Sequence, residues 1–396
     1  MIYNKKKIML VIAIALLHFV MTIESRPLNI LFVVEYFPAP SQVFILNLIT
    51  GLIDNGHNVS IFAFRKNSSK IQHSNVEKYA LLDRVIYKKF PVDLPDCDIV
   101  FCQSGSLGKE IFEMEGLREW LSNRKVVVSL RGNDITKNLV RENPAIYKNL
   151  FEKGDLFLPV CDYFKKLLVA FGCPSEKIVV HHSAINCSQF FFKKREKPDQ
   201  ETIRLVSVCR LVEKKGMEYA IKAIASIVKR HKNIHFTIVG RGRLKTHLEE
   251  LIRELNVADN VTLFGWGTHD QVVQILDQSH IFLLPSITSV NGDEEGIANA
   301  LKEAMAMGLV SIGTWHAGTP ELIEDGISGF LVPQKSSKKL AEKIRYVIDH
   351  PEIWETIGFA ARKKIEEEFE TKQSISKLEE LFYALISHEE IHAITE

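Results

Sequence analysis

Stretches such as NILFVVEYF, KVVVSL and DLFLPV in the first half of the chain, and RLVSVC, IHFTIVG and IFLLPS in the second, are apolar at nearly every position. A strand of that composition has to be covered on both faces, which is the condition of a parallel sheet with helices on each side. Helical segments lie between them: SQVFILNLITGLIDNG, GKEIFEMEGLREWL and DYFKKLLVAFG first, then MEYAIKAIASIVKRH, LKTHLEELIREL and HDQVVQILDQ. Leu244, Leu248, Leu251, Ile252 and Leu255 make one apolar stripe at helical period, with charge elsewhere. Strand alternates with helix throughout. The expected fold is therefore α/β, two doubly wound Rossmann-like domains in tandem with a cleft between them.

At 396 residues and 46% hydrophobic content the chain has material for two cores. The charged, proline-containing stretch FFFKKREKPDQET, from Phe190 to Thr202, is the expected linker. The division is then residues 27–195, residues 196–370, and a final helix over 371–396 that packs back on the first domain. Lys and Arg number 50 against 49 acids, a formal net charge of +1, so no bulk electrostatics favour a nucleic-acid partner. The cysteines at 97, 102, 161, 173, 187 and 209 form no CxxC pair and no zinc spacing, and they are expected reduced and buried. Residues 1–26 form a hydrophobic leader. After Lys5, Lys6 and Lys7, the run from Ile8 to Ile23 is shorter than the roughly 20 residues of a spanning helix. Three readings stay open for it: a signal-like segment or anchor, a start assigned too early with Met21 as the true one, and a buried helix.

Ligands of doubly wound sheets bind outside the carboxyl ends of the strands, so the loops there carry the chemistry. After RLVSVC, Arg210 and Lys215 place two cations before a helix, suited to a polyanion. After IHFTIVG, Gly240 and Gly242 permit close backbone approach to a ligand. After IFLLPS, the loop ITSVNGDEEG delivers Glu295 to the segment EEGIANALKEAMAMG. A helix is expected from Gly296, with Gly308 as its C-terminal cap and Glu303 roughly 12 Å along the axis from Glu295. Cations on one loop and acids on its neighbour fit a ligand with both a diphosphate and sugar hydroxyls.

The combination RLVEKKG, IVGRG, LFGW, EEGIANALKEAMAMG and HAGTPELIEDGISGFLV resembles the nucleotide-binding half of family 4 (group 1) retaining glycosyltransferases of the GT-B fold. The first half is similar to the exopolysaccharide and colanic-acid-type members in FPAPSQVFILNLITGLIDNGHNV, SLRGND and VCDYFKKLLVAFGCPSEKIVVHHSAIN. The resemblance covers about Asn29 to Glu370. It implies that Glu303 accepts hydrogen bonds from the donor ribose and that Glu295 faces the transferred sugar. It further implies that Arg210 and Lys215 hold the diphosphate, helped by the N–H groups of Gly296 and Ile297. The partners would be a nucleotide-sugar donor and a glycan or lipid-linked acceptor, with no cofactor and no metal. The implied site of action is cytoplasmic, at the inner face of a membrane. Ser41, Arg131, Asp134 and His181 would stand on the acceptor or sugar side; Ser41 and Gln42 serve equally as helix caps, and His181 and His182 as strand-end residues. The chain departs from the family at Arg131, where a histidine is usual, and at Cys209 and Ala184, where glycine is usual.

Overall fold

A computed structural model of the chain describes residues 26–39, 42–67, 73–88, 93–198 and 202–387, so Ser41 and the leader segment Ile8 to Ile23 lie outside it. The first sheet comprises β1 (Asn29–Phe37), β2 (Asn58–Lys66), β3 (Val85–Tyr87), β4 (Ile99–Cys102), β5 (Lys125–Leu130) and β6 (Leu156–Pro159), in the order β3-β2-β1-β4-β5-β6. The second comprises β7 (Ile203–Val208), β8 (Ile234–Val239), β9 (Val261–Gly265), β10 (Ile281–Leu284), β11 (Val310–Thr314) and β12 (Phe330–Val332), in the order β12-β11-β10-β7-β8-β9. The pairings are parallel throughout. Counted within its own half, each sheet has the same doubly wound order, and its chain reverses direction of travel at one point: between β1 and β4 in the first, between β7 and β10 in the second. The apolar runs are strands because both faces are buried; Ile30 to Val34 and Ile281 to Leu284 are all 1% exposed or less.

The helices that position the site are α1 (Val43–Asp54), α2 (Gly105–Glu113), α3 (Asn133–Glu142), α4 (Asp162–Ala170), α5 (Met217–Ile227), α6 (Asn299–Ala306) and α7 (Thr371–Ser387). Of these, α3 is π-helical, a wide winding that recurs at functional sites. The segment GKEIFEMEGLREWL is not one helix: α2 stops at Glu113, Gly116 takes φ +82°, and a short helix follows at Arg118–Ser122. KIVVHHS is not a strand either, since only Ile178 bridges to Phe157 of β6.

The chain crosses between the halves twice, side by side, at Ile185 and Glu370, where the Ile185 and Thr371 N–H groups donate to Phe369 and Ile185 carbonyls. Residues Lys193 to Lys197 of the charged stretch run along the second half, Lys193 meeting Asp277, Lys194 Glu355 and Lys197 the Ile348 carbonyl. Arg195 is 4% exposed and donates to the carbonyls of Asp277 and Met307, so this arginine satisfies two carbonyls rather than meeting solvent. After the second crossing, α7 packs Ile375, Leu378, Leu381, Phe382 and Leu385 into the core of the first half. Among the described residues no helix is long and apolar enough to cross a membrane.

Phe382 is fully buried and meets Phe101 of β4 edge-on, with ring centroids 5.5 Å apart. Phe382→Ala should destabilise the first half by about 3–5 kcal/mol, the usual cost of a phenylalanine-sized cavity. Hydrogen exchange of the β4 amides against denaturant measures this, with β10 amides as the unaffected reference.

Candidate active site

The carboxyl ends of both sheets open onto one cleft of about 700 Å³. Glu35, Gln103, Ser106, Arg131, Asp134 and Asn138 line it from the first half; Arg210, Lys214, Lys215 and the segment Glu294–Ala300 line it from the second. Arg210, Lys215, Glu295, Gly296, Ile297, Arg131 and Asp134 are thus brought together. Glu303, Gly240, Gly242 and His181 do not line this cleft.

Gly216 ends the cation loop in the left-handed region at φ +65°, and a Cβ there would stand 1.9 Å from the Pro285 carbonyl oxygen. Only glycine lets the β7 loop lie against the end of β10, which sets Lys214 and Lys215 beside the acidic loop. Lys215 forms an ion pair with Glu295, and Lys214 donates to Asp293 Oδ1 at 2.9 Å and to the Glu294 carbonyl at 3.0 Å. Burial alone would raise the Glu295 pKa, but Lys215, Lys214 and Arg210 together hold it down at about 2. Arg210 is exposed to the cleft and enters no ion pair among the described residues. The Glu295 N–H donates to His316 Nε2 at 3.0 Å, which requires a neutral imidazole there. Burial lowers the His316 pKa accordingly, against the pull of Glu294 and Glu295.

The acidic helix begins later than its sequence suggests. α6 starts at Asn299 with Ala298 as N-cap, so Glu295, Gly296 and Ile297 belong to the loop before it, not to its first turn. A side chain at Gly296 would meet Phe164 and Val160 of the first half at 3.0 Å, and Ile297 is itself buried in the core. Gly296 therefore permits close approach of the two halves. Gly308 does follow the helix end, at φ +79°. Glu303 lies on the same helical face as Asn299 and Ala300, about one turn on. Its half-buried carboxylate makes no hydrogen bond among the described residues, and burial raises its pKa to about 7 despite neighbouring Lys302.

Other expected residues are used differently. A Cβ at Gly240 or Gly242 would stand 1.8 Å from the Cys209 carbonyl oxygen or 2.4 Å from that of Leu211, so the close approach these glycines permit is to the protein's own backbone. His181 donates through Nε2 to the Ser374 carbonyl of α7 at 2.9 Å, and burial lowers its pKa to about 4. It ties the crossing segment to the last helix. Asp134 accepts from the N–H groups of Arg131, Ser106 and Gly105, fastening the β5 loop to the start of α2; burial still raises its pKa to about 6. All six cysteines are free, and all but half-buried Cys209 are fully buried. An Asp-x-Asp triplet, Asp96 to Asp98, lies before β4 at the opposite edge of the sheet, where Asp98 binds Arg26 and the Asn29 N–H.

Sequence patterns did not reveal several residues that the fold makes important. Lys302 is fully buried on α6 and donates to the carbonyl and hydroxyl of Ser183 on the crossing segment. Burial lowers its pKa to about 7. The signal available was a lysine among the apolar positions of a helix. Glu321 accepts from the Asp162 and Tyr163 N–H groups at 2.8 and 3.1 Å, capping α4 of the first half with a carboxylate from the second. Gln103, directly after β4, was marked only by its place at a strand end.

Residues 188–364 match the family model for glycosyl transferases group 1. A protein of Salmonella typhimurium named as a colanic acid biosynthesis glycosyltransferase is 30% identical over 393 residues, covering 86% of this chain and 96% of its own length. The amylovoran biosynthesis glycosyltransferase AmsK of Erwinia amylovora is 29% identical, covering 90% of this chain and all of its own. Among solved structures, Anabaena HepE in complex with UDP superposes with a TM-score of 0.75 at 16% identity, over 90% of this chain and 100% of that one. Sucrose-phosphate synthase from Thermosynechococcus elongatus gives 0.73 at 16% identity, over 91% and 100%. With two doubly wound parallel sheets facing one cleft and this likeness over nearly its whole length, the chain belongs to the group 1 glycosyltransferases and has the GT-B fold.

Proposed function

We propose that the protein is a retaining, metal-independent glycosyltransferase that moves a sugar from a nucleotide-diphosphate donor to a glycan or lipid-linked acceptor in exopolysaccharide assembly. The observation that carries this is the convergence of Arg210, Lys214 and Lys215 with Glu295 at the switch point of the second sheet. A departing nucleoside diphosphate gains negative charge as the glycosidic bond breaks, and preorganised cations stabilise that charge without a divalent ion. Glu295, held ionised by its cations, would stand against the positive charge of an oxocarbenium-like transition state. Glu303 would accept hydrogen bonds from the ribose hydroxyls, which supplies the partners its carboxylate lacks. The names of the relatives, for colanic acid and amylovoran biosynthesis, support the polysaccharide context, and the HepE complex makes UDP the first nucleotide to try. A panel of nucleotide sugars, with the product anomer read by NMR, tests the proposal. Turnover of sugar phosphates would favour a phosphorylase or epimerase instead, inversion would remove the retaining mechanism, and binding without turnover would leave a nucleotide-sugar-binding protein.

If the cations hold the leaving group, Arg210→Ala should lower turnover on the order of 10²-fold, as loss of one preorganised donor does. UDP affinity should fall with it, and EDTA should leave the wild-type rate intact. Activity that vanishes with chelator and returns with magnesium would replace this account with a metal-assisted one.

Glu303 is protonated below about 7 and a carboxylate above it, and only the carboxylate accepts from two hydroxyls. UDP affinity should therefore weaken as pH falls from 8 to 6. Lys302 titrates in the same window, so the comparison is with Glu303→Gln, which retains the lysine. A slope that survives in that variant would take Glu303 out of the ribose contact.

We place the catalytic halves on the cytoplasmic side, with the leader on the inner membrane face or untranslated. A chain begun at Met21 should fold and keep UDP binding, because among the described residues the core begins with Leu28 and Ile30. Protease accessibility of a C-terminal reporter in intact cells decides the side; an exposed reporter would overturn this placement.

A further inference from the structure

Gln103 is the first residue after β4 and stands at the switch point of the first sheet, between the diverging connections of β1 and β4. Its side chain lines the cleft at 5% exposure, and among the described residues neither Nε2 nor Oε1 has a hydrogen-bond partner. Buried amides are almost always paired, so one that faces a cleft with both ends free marks where a ligand's polar atoms belong. Arg131 leaves the neighbouring strand at the same edge, Cys102 of β4 pairing with Val128 of β5. Its guanidinium lies over the Phe44 ring, 3.9 Å from the centroid, and Nε is buried with no partner among the described residues. Among the described residues Arg131 is in no ion pair; nearby Asp134 has its carboxylate engaged by three backbone N–H groups.

We propose that Gln103 and Arg131 form the acceptor subsite and that it takes an anionic sugar. The guanidinium holds a carboxylate or phosphate in a planar, two-point contact, and the amide reads an adjacent hydroxyl with one donor and one acceptor. This rests on the glycosyltransferase function proposed above. The placement follows from the fold, since donor cations occupy the switch point of one sheet and Gln103 with Arg131 the facing edge of the other.

Saturation-transfer NMR on the full chain, with and without UDP, tests it with methyl β-glucuronide, glucose 6-phosphate and methyl β-glucoside. At least one anionic sugar should bind tenfold or more tightly than the neutral glucoside; which one does distinguishes carboxylate from phosphate. Arg131→Met should abolish that preference, and Gln103→Met should weaken the anionic sugar about tenfold, with UDP affinity retained as evidence of folding. Should Gln103→Met lose UDP binding, the isosteric Gln103→Glu decides, because added negative charge should reject the anion. Equal binding of the neutral glucoside, or no loss in the Gln103 variants, would overturn the subsite. Losses of UDP and sugar in parallel in folded variants would assign both residues to the donor and overturn it too. A wild type that binds anionic sugar but no nucleoside diphosphate would sink the glycosyltransferase function and leave the sugar site standing.

Discussion

The molecule depends on charge held out of water at the carboxyl ends of parallel strands. Lys214 and Lys215 are at most 8% exposed, and a charge at that depth is costly unless it is paired. Asp293 and Glu295 pair them, and they reach the lysines because Gly216 lets the two loops touch. The same contact keeps Glu295 ionised. Removing one partner would strand the other, so the pair's value lies in what each charge does to its neighbour and not in net stabilisation. A diphosphate entering beside exposed Arg210 would find cations already in place.

The second constraint is the seam between the halves. Glu321 caps α4, Arg141 donates to the Asn291 carbonyl at 2.6 Å, and Lys302 reaches Ser183, each a polar contact from one half to the other. Gly296 and Gly318 leave room for it: a Cβ on Gly318 would stand 2.7 Å from the Gly296 carbonyl oxygen. Glu321 works against its own burial, yet His182 and the two N–H groups keep its pKa below the ordinary value. Any opening of the cleft has to break this cap and turn about the paired crossings at Ile185 and Glu370, which lie before and after the whole second half. The π-helical α3 lies on the seam, where the Glu294 N–H meets Thr136 Oγ1 at 3.4 Å.

Much of this was legible in the sequence, and for one reason. Doubly buried strands announce themselves as unbroken apolar runs, and the return of the pattern after Ile203 gives a second sheet of the same order. The residues of the cation loop and the acidic loop were found because strand ends are where ligands bind. Errors arose where an apolar periodicity had two causes. The segment from Gly296 looks helical because Ile297 is apolar, but Ile297 is buried before the helix begins. The charged stretch after Phe190 reads as a linker, and within it Arg195 is buried against two carbonyls.

By itself, then, the sequence determined the α/β class, the doubling of the sheet, and the residue types at the strand ends, because periodicity and strand-end position are local properties. Only the tertiary structure decided which of those residues share an environment. Nothing local distinguishes His181, bound to Ser374 some 193 residues later, from a residue that faces the cleft. The same holds for Gly240, whose neighbour is the backbone of Cys209, and for Lys302, whose partner lies in the other half. Gln103 is the clearest case: a glutamine after a strand carries no signal, and it acquires meaning only when the fold buries both ends of its amide beside Arg131, with no partner among the described residues. Burial and pairing are set by contacts between segments far apart in the chain, and those contacts exist only once both sheets have formed.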